Sequence, residues 1–504
     1  MHGRPAHFLR RAVLLLMLAG VAVPAAAQTS APASDSPGYW FNWALQEALA
    51  LPVAQGEAKG RSKRDSYVIQ ILQMQAQSGD APGAVMSARR WVPEAMGSIA
   101  VAQAAAGDGA GAIGTAKLIS EEKPRHEALI GLANTLAQRK RGTEALPALA
   151  ELPKIGEAAG AYELVAAAQA EAGDIAGAKS TLGTLAALPD GDGLNPVRAG
   201  DVHAALAGAL AKSGDRAGYH EQIEAARSLM REFREPYRRN VFIKIAAAQA
   251  GAGDYEEATT TMKALTPNDQ MSFPDIVLAS RVKRGEVTPV AALAAISAPY
   301  SPVYQVIIEL QLKAKDPKGA AETLRATKGD SYLHGDQPRQ IVDAFLEAGD
   351  EAAALDFVKN FDDSYKLVVP AMRAELYGYL AKKYLAAGNR PEYEAMIALA
   401  VELGSQIIDP PPDSSAYQPR NSDVLGGIAR IQEDAGDFAG AAKTIARVTV
   451  PTERRALGIE CKAGDLASAG KLMEAQAWVR TLADTEERIQ ACQQMGVRLA
   501  RKSK

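Results

Sequence analysis

Residues Ile243 to Thr261 read IKIAAAQAGAGDYEEATTT. Apolar Ile243, Ile245, Ala246 and Ala250 recur at helical spacing, which predicts an amphipathic helix up to the glycine. Gly253 then supplies the left-handed residue that ends a helix, a conformation strained for any residue with a Cβ. Asp254 is placed to accept hydrogen bonds from the first free amides of the next helix, and Glu257, three residues on, to complete a capping box. Ala258, one turn into that second helix, is small where the two helices of a hairpin cross. Helix, Gly-Asp turn and helix are thus written in nineteen residues.

The unit recurs along the chain. Clear copies run over Ile99–Ala116, Leu164–Thr181 and Leu425–Thr444. Anchored on the glycine, the repeats fall at Gly79, Gly107, Lys140, Gly173, Gly214, Gly253, Gly285, Lys315, Gly349, Gly388, Gly436 and Gly464, spaced by 28 to 48 residues. Five residues after the anchor, nine of the twelve positions are alanine, among them Ala84, Ala112, Ala178 and Ala441. A period near 35 signals an array whose units bury their apolar faces on one another. Composition agrees: of 504 residues 100 are alanine and only 6% aromatic, which suits closely approaching helices better than several separate cores.

This pattern resembles the tetratricopeptide repeat (TPR) superfamily over about residues 62 to 482, and GDYEEA at Gly253–Ala258 copies that family's central signature. HEAT-type helical repeats are the minor alternative. One departure stands out: four residues before the anchor lie Gln75, Gln103, Gln169, Gln249, Gln311 and Gln432, where the family favours aromatics. The resemblance implies an all-α solenoid, a right-handed superhelix of about twelve helix-turn-helix repeats with helical caps at both ends. It also implies a binding groove on the first helices, whose positions here are Gln70, Gln73, Gln77, Asn134, Gln138, Lys244, Lys283, Arg339, Asp343 and Lys382.

Outside the repeats, residues 1–27 read as a Sec-type signal peptide: Arg4, Arg10 and Arg11, an apolar run from Ala12 to Val23, then Ala25–Ala27, with no cysteine to lipidate at the cleavage site. Residues 28–38 form a flexible tether. Residues 39–61 begin Tyr39-Trp40-Phe41-Asn42-Trp43 and are expected to form an aromatic capping helix running to about Ala54. Repeats occupy 62–404 and 424–482, separated by a Pro-rich loop at 405–423, and a second loop is expected over Leu188–Gly200. A basic C-terminal capping helix covers 483–504. Export would place the protein in the periplasm or outside the cell. Without the three leader arginines the chain carries 53 basic and 59 acidic residues, which argues against nucleic acid as a partner.

Motifs for chemistry are sparse. Gly109-Ala-Gly111-Ala-Ile-Gly114 matches a dinucleotide string but follows a helix and aligns with the turn of its sister repeats. Asp190 and Asp192 lack the rest of a calcium loop. His126, His203, His220 and His334 show no metal-ligand spacing, and Glu121-Glu122 and Asp362-Asp363 read as solvated caps. Cys461 and Cys492 lie in consecutive units and would be either a disulfide or two buried thiols. The expectation is a non-enzymatic scaffold or adaptor of the bacterial cell envelope, without cofactor or metal, holding a partner's peptide or helix in its groove. The alternative is an accessory or binding protein for cell-wall glycan, with or without weak catalytic activity, using the aromatic segment and the Pro-rich loop.

Overall fold

Every turn between the two helices of a hairpin is closed the same way. In the computed structural model, which describes residues 35–52, 62–231, 233, 237–266, 273–296, 301–327, 336–361, 369–410 and 419–502, the Asp254 amide donates to the Gln249 carbonyl (2.9 Å) and the Gly253 amide to Ala250 (3.1 Å). This pair of bonds satisfies the last carbonyls of the first helix. The anchor adopts positive φ: +90° at Gly253, and +61° and +58° at Lys140 and Lys315, which occupy the glycine position in two repeats. The leader, most of the tether and residues 411–418 of the Pro-rich loop lie outside the described residues, as do His334 and Asp362-Asp363.

Among the described residues there are twenty-six α-helices. The first is α1 (Pro37–Leu49). Twelve continuous hairpins follow: α2/α3 (Lys63–Gln77, Ala81–Trp91), α4/α5 (Met96–Ala105, Gly109–Lys117), α6/α7 (Glu122–Gln138, Gly142–Ala150), α8/α9 (Ala159–Glu171, Ile175–Ala186), α10/α11 (Asn195–Ser213, Arg216–Leu229), α12/α13 (Tyr237–Ala252, Tyr255–Lys263), α14/α15 (Phe273–Lys283, Pro289–Ala295), α16/α17 (Pro302–Lys313, Pro317–Ala326), α18/α19 (Gln337–Glu347, Glu351–Lys359), α20/α21 (Val369–Ala386, Arg390–Ser405), α22/α23 (Asn421–Asp434, Phe438–Ile445) and α24/α25 (Pro451–Ser468, Leu472–Thr481). The last helix is α26 (Thr485–Lys502). Each even-numbered helix packs on the next even-numbered one, and the odd-numbered helices form a second layer. Where the helices of a hairpin cross, Ala84, Ala112, Ala145, Ala178, Ala258, Ala320, Ala354 and Ala441 are fully buried.

The array closes on itself. α1 packs along α26, in the position that the second helix of a hairpin takes, and also against α2. Trp40, Phe41, Ala44 and Ala48 of α1 are fully buried in one core with Val68, Ile71 and Leu72 of α2 and Ile489, Cys492 and Met495 of α26. The Phe41 ring lies over Gly496, where a Cβ would stand 2.9 Å from it. The two terminal helices bury their apolar sides on each other. The result is a ring of thirteen hairpins, the thirteenth assembled from the two ends of the chain.

Four of the six glutamines that depart from the resembling family tie the two helices of their hairpin together. Gln169 is fully buried; its Nε2 donates to the N-cap carboxylate Asp174 (3.4 Å), and its Oε1 accepts from Thr181 Oγ1 on α9 (2.8 Å). The same threonine bond joins Thr261 to Gln249 (2.7 Å), Thr323 to Gln311 (2.9 Å) and Thr444 to Gln432 (2.7 Å). At Gln169 the buried amide has both ends satisfied, and it fixes how the two helices cross. The cap aspartate in turn explains Gly111: its amide donates to Asp108 Oδ1 (2.8 Å), and a Cβ there would overlap that carboxylate. The dinucleotide-like string is therefore a helix cap.

Several expectations need correction. Asp254 makes no capping bond; Arg216 of the preceding hairpin takes its carboxylate at 3.0 Å, so the box with Glu257 does not form. Gly464 lies inside α24, where the Phe438 ring leaves room for little more than a hydrogen, and the true turn is Gly470 (φ +68°) with Ala475 buried beyond it. α1 ends at Leu49, not near Ala54. The first loop is shorter than expected, because α10 already begins at Asn195. Arg498 of the basic C-terminal helix is largely buried and paired with Glu433 of α22.

Candidate functional site

The even-numbered helices turn one side to the odd-numbered layer and leave the other as the inner wall of the ring. Charged side chains tie one even-numbered helix to the next along that wall. Lys244 reaches Asp201 at 2.6 Å; Lys383 reaches Asp343 at 2.8 Å, and Tyr379 Oη donates to the same carboxylate at 2.7 Å. Arg339 faces Glu375 at 3.6 Å, Arg430 faces Glu460 at 3.3 Å, and Arg455 donates to Glu487 at 2.8 Å. Beside Asp201, burial pushes the Glu163 carboxyl up to about 7; the Asp201 charge adds to the shift and Lys244 opposes it.

Clefts open between neighbouring even-numbered helices. One, of about 800 Å³, lies between α16 and α18 and is lined by Gln305, Glu309, Gln337, Gln340, Asp343 and Glu347, with Lys313 also in the lining. Its carboxylates outnumber its one lysine, so it favours a cationic or amide-rich ligand. Two more lie where the ring closes: one of about 620 Å³ includes Gln77, Arg430 and Arg498, and one of about 500 Å³ includes Tyr67, Gln70, Glu460 and Gln490. Gln73 borders a smaller cleft of about 350 Å³ between α2, α4 and α6.

Of the sequence-derived groove residues, Gln70, Gln73, Gln77 and Asp343 therefore line clefts. Lys244, Arg339 and Asp343 are engaged in ties between helices. Asn134 is half-buried with its Oδ1 unpartnered, and Gln138, Lys283 and Lys382 are exposed. It is Lys383, one residue beyond Lys382, that meets Asp343. Gln305 and Glu309 were missed although they stand 10 and 6 residues before Lys315, the offsets of Arg339 and Asp343 from Gly349. Applying those offsets to the lysine-anchored repeat would have found them.

Groups suited to other chemistry are committed to structure. His203 Nδ1 bonds Gln222 Oε1 at 2.7 Å, and the His220 ring packs on Tyr219. Arg198 holds Asp192 at 2.6 Å, its hydrogen bonds pulling that carboxyl down to about 2, while Asp190 accepts from the Asn195 amide at 3.0 Å. Among the described residues no group of three or more His, Cys, Asp or Glu is placed to hold a metal ion. Cys461 and Cys492 are free, buried thiols; burial pushes Cys461 up to about 12 and Cys492 further still. Trp40 and Phe41 are core residues, and Trp43 stacks on Trp40 at 5.6 Å, so the aromatic segment is spent on closure. No helix among the described residues is long and apolar enough to cross a membrane.

No family model matches the chain, and no curated protein matches it in sequence. Among solved structures it is similar to Ton1535 from Thermococcus onnurineus NA1, at 17% identity over 77% of this chain and 95% of that one, with a TM-score of 0.22. It is also similar to the pentatricopeptide repeat protein PPR10 from maize, at 14% identity over 86% of this chain and 70% of that one, with a TM-score of 0.30. Likenesses this loose carry no argument about the site. The helical-repeat architecture rests on the helices, turns and packing described above.

Proposed function

We propose that the chain is a non-enzymatic interaction scaffold of the TPR type, exported to the cell envelope, that holds an extended peptide or a helix of a partner protein against the inner wall of its ring. The observation that carries this reading is the 800 Å³ cleft between α16 and α18, whose lining places polar side chains at the same two offsets before the anchor in both units, Glu309 with Asp343 and Lys313 with Glu347. A surface built from side chains at a fixed offset on stacked helices reads a linear ligand unit by unit. The excess of carboxylate in the cleft favours a basic or amide-rich segment and disfavours a phosphate backbone.

The test is capture of partners by tagged residues 28–504 from envelope extract of the source organism, with proteins and bound small molecules identified by mass spectrometry. A stoichiometric protein should be lost with Glu309→Lys and Glu347→Lys together, and retained with Glu256→Lys on the outer layer. Recovery of glycan without protein would refute the scaffold reading, as would retention of the protein by the cleft variant.

A further inference from the structure

Twelve hairpins of the ring are continuous chain, whereas the thirteenth, α26 with α1, is held together by side chains. We propose that this junction is the opening of the ring: α1 is a detachable clasp that leaves and re-enters the seam between α26 and α2 while the continuous hairpins stay folded. α1 packs on both α26 and α2 more extensively than those two pack on each other, so its departure removes most of what joins them. Its buried anchors are clustered, with Trp40, Phe41, Ala44, Leu45 and Ala48 on one side of a thirteen-residue helix and Tyr39, Trp43 and Leu49 packed beside them.

Of the polar ties at the seam one is exposed, between α2 and α26, and those that α1 makes are part-buried. Lys63 pairs with Glu486, at side-chain exposures of 63% and 40%, and Tyr67 Oη donates to the same carboxylate at 2.8 Å. Arg488 donates to Glu47 at 2.9 Å and Gln476 to Tyr39 Oη at 3.2 Å. Exposed ion pairs contribute little and are screened by salt. The Lys63 ammonium and the Tyr67 hydroxyl hold Glu486 below the usual carboxylate range, so the pair persists at neutral pH and yields to ionic strength. At the other junctions of the ring a unit is covalently continuous with both neighbours; here separation requires that α1 leave and that Lys63 and Tyr67 of α2 release Glu486 of α26. Thirteen helices about 9 Å apart give a wall roughly 120 Å around. Such a ring admits a long chain by threading an end, or sideways once the seam parts. Sideways loading rests on the scaffold reading; the opening itself does not.

The opening is tested by spin-label distances in the mature full-length chain, with Cys461→Ala and Cys492→Ala. One label pair, Met86→Cys with Met473→Cys, sits on α3 and α25, which flank α1. A reference pair, Lys117→Cys with Lys179→Cys, sits on α5 and α9, which flank α7. With Phe41→Ala the seam pair should gain a population longer by roughly 10 Å or more, the width of one helix layer, while the reference pair stays unchanged. Salt at about 1 M should shift the parent chain in the same direction. A seam distance that stays single in Phe41→Ala overturns the proposal, and so does a reference pair that broadens with it, which would make α1 an inseparable part of the core. Either failure is distinct from failure of partner capture.

Discussion

Thr181→Val removes one hydroxyl from the hairpin clasp of α8/α9 and leaves its shape intact. In the parent chain that hydroxyl donates to Gln169 Oε1 at 2.8 Å, inside a site where Gln169 is fully buried and Thr181 4% exposed. The valine leaves the amide oxygen without a partner and without water. A buried acceptor so stranded costs about 1–3 kcal/mol. The effect is local to the hairpin, because a repeat array opens in units, so it is best read by amide hydrogen exchange. Amides of α8 and α9 should exchange roughly 5- to 150-fold faster, at about 1.4 kcal/mol per factor of ten. The chain carries its own control. Gln103 Oε1 in the hairpin α4/α5 is already buried without a partner, so Thr115→Val at the equivalent position breaks no such bond and should leave exchange within about threefold of the parent. Gln169→Leu combined with Thr181→Val removes both polar partners and should cost less than the sum of the single changes. Equal effects of Thr181→Val and Thr115→Val, or strict additivity in the double variant, would refute the role of the clasp.

Lys140→Gly and Lys315→Gly should each stabilise their hairpins by up to about 1 kcal/mol, seen as slower exchange in α6/α7 and α16/α17, because both lysines hold φ near +60°. Glu163 keeps its proton to higher pH when folded than when unfolded, so the native state binds more protons between the ordinary carboxylate range and about 7. Stability from this site should therefore fall as pH rises through that window, and Glu163→Gln should flatten the slope of melting temperature against pH there. Cys461 and Cys492, buried with raised pKa values, should resist alkylation at pH 8 in the native chain and react promptly in denaturant; rapid native labelling of either would contradict the packing of α24 and α26.

The hairpin was legible in the sequence because its determinants are local. A glycine in the left-handed region, an aspartate after it and an alanine five residues on each act within one turn of helix, and Gly253 and Ala258 behave as their letters require. Local letters also misled: Gly464-Asp465 spells the turn yet lies inside α24, because only packing against Phe438 gives that glycine its reason. Asp254 lost its cap for a similar cause, since Arg216 arrives from 38 residues away. The candidate site was half readable. Offsets from the anchor located Asp343 and Arg339, but which lysine meets Asp343 depends on how α20 is rotated against α18. Closure was out of reach of the sequence altogether. Tyr39 to Trp43 showed that an apolar face had to be covered, and the small curvature added at each of twelve turns decided that the cover would be α26, more than four hundred residues away.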